Sequence, residues 1–253
     1  RSSAASDVYK RQLTYSGSGA PSVEGINFKA MKGQTIGVIG GTGSGKSSLV
    51  NLIPRLYDAT QGEVLVDGVN VKDYDIEALR NKVGIVMQKA VLFKGTIREN
   101  MWMGKKGATD EQIDEALEIS QSKEFVDSKQ GRLDYVIEQG GKNLSGGQRQ
   151  RLTIARAIVR KPDVLILDDS ASALDFATDA ALRKAIRGMN NSPTVFIVSQ
   201  RAASLMYADL IIVLDDGQVA GMGTHDELLA NCEVYKEIYE SQFKKADSEG
   251  GVA

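Results

Sequence analysis

Two apolar patterns alternate along this chain. Short runs that are apolar at nearly every position occur at 35–39, 83–87, 164–167, 194–198 and 210–214. Runs of this length read as strands buried on both faces. Segments with apolar and polar residues in alternation come earlier, at 8–15 and 23–28. Gly62-Glu63-Val64-Leu65-Val66 before Asp67-Gly68 reads as a strand entering a tight turn. Helical spacing follows the first buried strand over 48–56 and dominates from about 89 to 161. Within that stretch Thr109 and Gln112 have capping-box spacing, and Leu117, Phe125 and Val126 supply apolar positions. A further helix is expected from Ser145 to Arg160, stopped by Pro162. Others are expected over 175–187, after a Thr224/Glu227 capping box, and over 234–243. The whole chain, 1–253, thus reads as one domain. Its α/β core occupies about 7–88 and 162–243, interrupted by a helical lobe at about 89–161. There is no internal repeat, and the polar ends, 1–6 and 244–253, are expected to be flexible.

Charge and composition narrow the classes without choosing one. The chain's 31 basic and 33 acidic residues nearly balance, and no basic stripe marks a nucleic-acid surface, so no nucleic-acid partner is expected. The single cysteine, Cys232, excludes a disulfide framework and suits a reducing compartment. No stretch reaches 18 apolar residues, the length of a membrane span. Arg1 to Ser6 lacks the apolar core of a signal peptide and reads as a linker or a cut boundary.

The chemistry begins at Gly40-Gly41-Thr42-Gly43-Ser44-Gly45-Lys46-Ser47, a complete G-x-x-x-x-G-K-S phosphate loop between a strand pattern and a helix pattern. Its glycines let successive backbone N–H groups turn toward phosphates, and the helix that follows, from Ser48, adds its own unpaired amides. Lys46 can reach the terminal phosphates of ATP and the Ser47 hydroxyl can ligate Mg²⁺. A second element fits the first: Val164-Leu165-Ile166-Leu167-Asp168 is a buried-strand pattern that delivers a carboxylate to the strand's C-terminal end, where α/β sheets bind ligands. Asp168 is the expected organiser of Mg²⁺. In the helical lobe, Leu144-Ser145-Gly146-Gly147-Gln148 contains another capping-box spacing. Two glycines in a helix's first turn weaken it by about 1 kcal/mol each, and make sense where bare amides must approach an anion.

With these motifs the chain resembles the nucleotide-binding domain of an ATP-binding cassette (ABC) transporter over nearly its whole length. Leu144 to Gln148 matches the family's signature. The resemblance implies a P-loop NTPase α/β core, a RecA-like sheet plus an antiparallel β subdomain, with an inserted helical subdomain. It implies that Gln88 touches Mg²⁺ and links to the helical lobe, and that Asp175 lies in a loop that crosses to a partner domain. Tyr15 is similar to the residue that stacks on adenine; local aromatic packing is the other reading. Glu138 fits either a contact with the membrane part or a plain surface acid. Gly140-Gly141, the run Phe93 to Asn100 and the run Gly223 to Leu229 resemble the exporter branch. His225 reads as part of a helix cap, and Cys232 and Trp102 as packing residues.

Two positions depart from the family pattern. Where the family has Asp-Glu, this chain has Asp168-Asp169; where it has Thr-His or Ser-His, this chain has Ser199-Gln200. Aspartate at 169 places its oxygen about 1–1.5 Å short of a water in line with the γ-phosphate, a misplacement that can cost about a hundredfold. Gln200 can hydrogen-bond a phosphate but cannot carry a positive charge. The signature is intact, including Ser145, Gly146, Gly147 and Gln148. In this family each ATP site combines one domain's phosphate loop with the other's signature. The chain therefore resembles the degenerate-site subunit of a heterodimeric multidrug exporter, an ATP hydrolase slow at its own site. Its partners would be a transmembrane domain and a different nucleotide-binding subunit with intact Glu and His. It would sit at the cytoplasmic face of the membrane. Other readings are a homodimeric exporter that tolerates both variants, or a soluble ABC-type ATPase or nucleotide-gated switch. The DNA-repair type would show a long heptad insertion, and the translation type two cassettes.

Overall fold

The computed structural model describes residues 4–13, 22–170 and 172–249. In chain order its strands and helices are β1 (Ala4–Leu13), β2 (Val23–Met31), β3 (Thr35–Gly40), α1 (Lys46–Asn51), β4 (Gln61–Val66), β5 (Val69–Asn70) and α2 (Ile76–Lys82). Next come β6 (Val83–Val86), β7 (Gly95–Thr96), α3 (Ile97–Gly104), α4 (Asp110–Ile119), α5 (Lys123–Asp127), β8 (Val136–Ile137), α6 (Gly146–Ile158), β9 (Val164–Asp168) and α7 (Phe176–Arg187). The chain ends with β10 (Thr194–Val198), β11 (Leu210–Asp215), β12 (Gln218–Gly223), α8 (His225–Asn231) and α9 (Glu233–Glu249). It divides into two compact units. One joins residues 1–80 to 194–253; the other is the continuous stretch 81–193.

The discontinuous unit contains an antiparallel sheet, β2-β1-β4-β5, and the strands β12-β11-β3-β10. β3 lies between β10 and β11, parallel to both, while β12 closes on β11 as an antiparallel hairpin. Every residue of β3 and of β10 is buried, as expected of central strands that read as unbroken apolar runs. β2 instead alternates, with Val23, Ile26, Phe28 and Ala30 inward. The jump from 23 to 26 comes from Gly25, whose φ of 66° breaks the alternation. Phe28 meets Phe196 of β10 edge to face, ring centroids 6.1 Å apart.

The continuous unit pairs β6 with β9 in parallel, Val83 opposite Val164 through Val86 opposite Leu167. Helices α3 and α4 bury one stripe each, Ile97 and Met101 in α3 and Ile113, Ala116 and Leu117 in α4, whereas α6 is buried on most of its circumference, Leu152 to Ala155, Ala157 and Ile158 included. Capping boxes start α3 at Thr96/Glu99, α4 at Thr109/Gln112 and α6 at Ser145/Gln148.

The fold is the expected α/β P-loop NTPase core: a mixed sheet of RecA-like type, an antiparallel β subdomain and a helical subdomain. Details differ from the sequence reading. The helix expected over 48–56 begins at Lys46 and ends at Asn51, giving way to turns that lead to Pro54 and to Arg55 at a φ of 52°. The 89–161 stretch is not wholly helical, since β7 and β8 pair within it. β12 and α2 were not anticipated. His225 is not the cap of α8; Thr224 is. The His225 Nδ1 lies 2.8 Å from the Tyr235 hydroxyl, a phenol that burial pushes up to about 12. Cys232 is buried, and half-exposed Trp102 donates its indole N–H to the Ala108 carbonyl at 3.0 Å. No helix among the described residues is long and apolar enough to cross a membrane.

Candidate functional site

In the discontinuous unit the site is built on the end of β3. Two glycines of the phosphate loop have no room for a side chain. A Cβ on Gly40 would lie 2.1 Å from the Leu214 carbonyl oxygen, and one on Gly45 2.4 Å from Val23 Cγ1 and 2.5 Å from the Ser22 carbonyl oxygen. Gly45 also has a φ of 91° and opens α1 with no side-chain cap. The loop is thus wrapped tightly over its neighbours, and its outer face is backbone: Gly41, Thr42 and Gly43 are exposed. Lys46 is buried, and its ammonium donates to the carbonyls of Gly40 (2.9 Å) and Gly41 (2.5 Å) and to Ser44 Oγ (3.3 Å). The charge sits inside the curl of the loop, where an approaching polyphosphate can exchange for these neutral acceptors.

An open cleft of about 300 Å³ covers the loop. Gly43, Gly45, Lys46, Ser47 and Ser48 line it, joined by Ser22, Asp216 and Gly217. The last two form the β11–β12 turn, with φ of 43° and 79°, between the paired Asp215 and Gln218. This is the two-residue Asp-Gly turn that suits a hairpin's twist. The Glu24 N–H donates to the Gly217 carbonyl at 2.9 Å and holds the turn beside the 22–24 segment. These three residues were missed in the sequence, although Asp216-Gly217 between two apolar segments carries a hairpin signal. An alanine at Gly40 is expected to displace the loop and lower nucleotide affinity at least tenfold, because its Cβ meets backbone rather than a yielding side chain. Nucleotide titration of that variant checks this.

Gln200 stands exposed just past β10. Ser199 before it is buried, donates its N–H to the Val38 carbonyl at 3.1 Å and accepts the Arg201 N–H on Oγ at 2.9 Å. Gln200 thus projects from an anchored turn.

The continuous unit brings three predicted residues together. Asp168 ends β9 and is buried; Asp169 follows at a φ of 46°, left-handed backbone that aspartate adopts more readily than most residues. The exposed Gln88, two residues beyond β6, donates Nε2–H to Asp169 Oδ2 at 3.1 Å. A carboxylate only accepts, which fixes the amide nitrogen as the atom facing it. Ser172 Oγ donates to the Asp169 carbonyl at 2.9 Å.

The same unit carries the 144–148 motif at the start of α6. Leu144 is buried and Ser145 and Gly146 are exposed. Ser145 Oγ accepts the Gln148 N–H at 3.2 Å, and Gln148 Oε1 accepts the Ser145 N–H at 3.1 Å. A Cβ on Gly147 would lie 3.4 Å from the Ala173 carbonyl oxygen, whereas one on Gly146 would meet nothing within 4 Å. No contact among the described residues therefore demands glycine at 146. Asp175 caps α7 and takes the Thr178 N–H (2.9 Å) and hydroxyl (2.8 Å); these bonds hold its carboxyl below the usual carboxylate range. Tyr15 lies outside the described residues.

Comparison with known proteins agrees with the motifs. Residues 23–172 match the family model of the ABC transporter. An uncharacterized ABC transporter ATP-binding protein of Mycobacterium bovis is 43% identical over 243 residues, covering 95% of this chain and 41% of that protein. A second, from Bacillus subtilis, is 45% identical over 224 residues, covering 88% of this chain and 39% of that protein. A Staphylococcus aureus protein provisionally named for multidrug export, as an ATP-binding/permease protein, is 38% identical over 236 residues, 93% of this chain and 41% of its own length. The solved structure of a bacterial Atm1-family ABC exporter with ATP bound superposes with a TM-score of 0.88 at 30% identity, over 94% of this chain and 42% of that one. The chain spans about two fifths of the length of these relatives. On its phosphate loop, its fold and this family match, the chain belongs to the ABC transporter family, as an ABC nucleotide-binding domain.

Proposed function

We propose that the chain is the ATP-binding motor of an exporter, closing with a second nucleotide-binding domain to drive a transmembrane domain at the cytoplasmic face of a membrane. The observation that carries this reading is the phosphate loop. Gly40 and Gly45 admit no side chain there, and a buried ammonium, Lys46, waits inside the curl under an open cleft. The relatives named for export and for bound ATP support it. As in the sequence reading, residues of about 89–161 serve as the inserted helical lobe, and Tyr15 as the adenine contact.

In this reading Lys46 and the amides of residues 41–48 neutralise the polyphosphate. Mg²⁺ would be held by the Ser47 hydroxyl, the Gln88 amide oxygen and Asp168, and would supply charge for the phosphoryl oxygens. All three are hard oxygen donors of the kind this ion takes. The bond to Asp169 turns the Gln88 nitrogen toward that carboxylate and its oxygen the other way.

Asp169 and Gln200 make the chain's own site slow. Asp169 is one methylene short as a general base, and one of its carboxylate oxygens already accepts a hydrogen bond from Gln88. Gln200 offers the γ-phosphate a hydrogen bond but no charge. The signature residues Ser145, Gly146, Gly147 and Gln148 would complete the site of a different partner subunit that retains Glu and His. Asp169→Glu together with Gln200→His should raise turnover at this chain's phosphate loop about ten- to a hundredfold, more than either alone, when a partner with an intact signature is present. Steady-state ATP hydrolysis of the paired complex tests this. Equal slow rates in parent and double variant would leave the impaired-site reading without its cause.

A further inference from the structure

The turn that carries Gln200 is gripped from the far end of the chain. Gln242 lies on α9. Its Oε1 accepts the Ala202 N–H at 2.9 Å and its Nε2 donates to the Gln200 carbonyl at 2.7 Å. The reverse orientation of the amide would set nitrogen against N–H and oxygen against carbonyl, so both bonds fix a single rotamer. On its other side the turn is tied to β3 by the bond from Ser199 to Val38, and by Leu205, which packs against Gly37. Ala202 and Leu205 are fully buried. The backbone of residues 199–202 is therefore clamped between β3 and α9, while Gln200 and Arg201 are left exposed.

We propose that Gln242 is a positioning residue for γ-phosphate recognition: its two hydrogen bonds hold the 200–202 backbone so that Gln200 presents its amide to ATP. The inference rests on the reading of Gln200 as the γ-phosphate contact. A freed turn must be ordered again each time ATP binds, and that entropic cost falls on ATP alone, since ADP has no γ-phosphate for Gln200 to meet. The last helix of the chain then sets how strongly the site distinguishes ATP from ADP.

The test uses the full chain and titrates Mg-ATP and Mg-ADP separately. Gln242→Met removes both hydrogen bonds and keeps the length of the side chain. It should lower ATP affinity about fivefold, leave ADP affinity unchanged and speed amide exchange at Ala202. Gln200→Ala should lower the ATP preference at least as much. The double variant should lose no more than Gln200→Ala alone, because one residue acts through the other. Equal losses for ATP and ADP, or additive losses in the double variant, would reduce Gln242 to a packing residue and overturn the proposal. If Gln200→Ala weakens ATP but Gln242→Met does not, the clamp alone fails. If Gln200→Ala changes neither nucleotide, the γ-phosphate role of Gln200 fails, and the clamp's purpose with it.

Discussion

Replacing Lys46 by alanine should weaken ATP binding by about two to three orders of magnitude. A unit charge 4 Å from another contributes about 4 kcal/mol at the effective dielectric of a partly screened site, and a triphosphate brings several charges. The structure adds a second reason. The Lys46 ammonium bridges the carbonyls of Gly40 and Gly41 and the Ser44 hydroxyl, so it also holds the curl of the loop. Lys46→Arg should fail nearly as fully, since a planar fork cannot replace a compact ammonium among these three acceptors. Titration with a fluorescent ATP analogue, with thermal melting to confirm folding, gives the result. Unchanged affinity in a folded Lys46→Ala variant would remove this residue from the site.

The second large effect lies in the other unit. Under the proposed pairing, Gly147→Glu in this chain should cut turnover at the partner's phosphate loop by at least a hundredfold. ATP binding at Lys46 should stay close to its parent value. Glutamate places a carboxylate at a helix start whose exposed residues, Ser145 and Gly146, would face the partner's γ-phosphate. Like charges at contact distance oppose binding at that site. Its Cβ would also press on the Ala173 carbonyl at 3.4 Å, a contact that needs only a small adjustment. Ser145→Ala is gentler. It removes the cap that takes the Gln148 N–H, worth about 1 kcal/mol, and should slow the partner site about tenfold. Single-turnover measurements on the assembled pair separate the two sites. Normal partner turnover with Gly147→Glu would leave residues 144–148 as a helix start and nothing more.

Much of this could be read from the chain because its signals are local. The caps at Thr109, Ser145 and Thr224 each need only a residue three positions on, and each forms as expected. The Thr96/Glu99 box has the same spacing, in a stretch that otherwise stands out by its likeness to exporters. β9 and β10 were legible because strands buried on both faces are apolar throughout. β12 was not, since Gly221 and Gly223 break its pattern. Gly221 is small because the Cys232 sulfur lies against it, 2.8 Å from where a Cβ would stand, and no local rule anticipates a neighbour at the far end of the next helix. Around the phosphate loop the motif was plain, but Ser22 and Asp216 reach the cleft only through strand pairing. The grip of Gln242 on residues 200 and 202 lay further out of reach, because a polar residue on a half-exposed helix face carries no mark of its partner.

The division into one continuous and one interrupted unit also has an order in time. Residues 81–193 leave the ribosome as one uninterrupted block, in which β6 and β9 can already pair. β3 has no such fortune. Its flanking strands are residues 195–198 and 210–214, so the strand that ends in the phosphate loop emerges with neither neighbour yet synthesised. The loop itself closes against Leu214, which makes the nucleotide cradle one of the last parts of the chain able to form during synthesis. A nascent chain halted before residue 210 holds the complete phosphate-loop sequence but lacks the wall against which Gly40 is fitted.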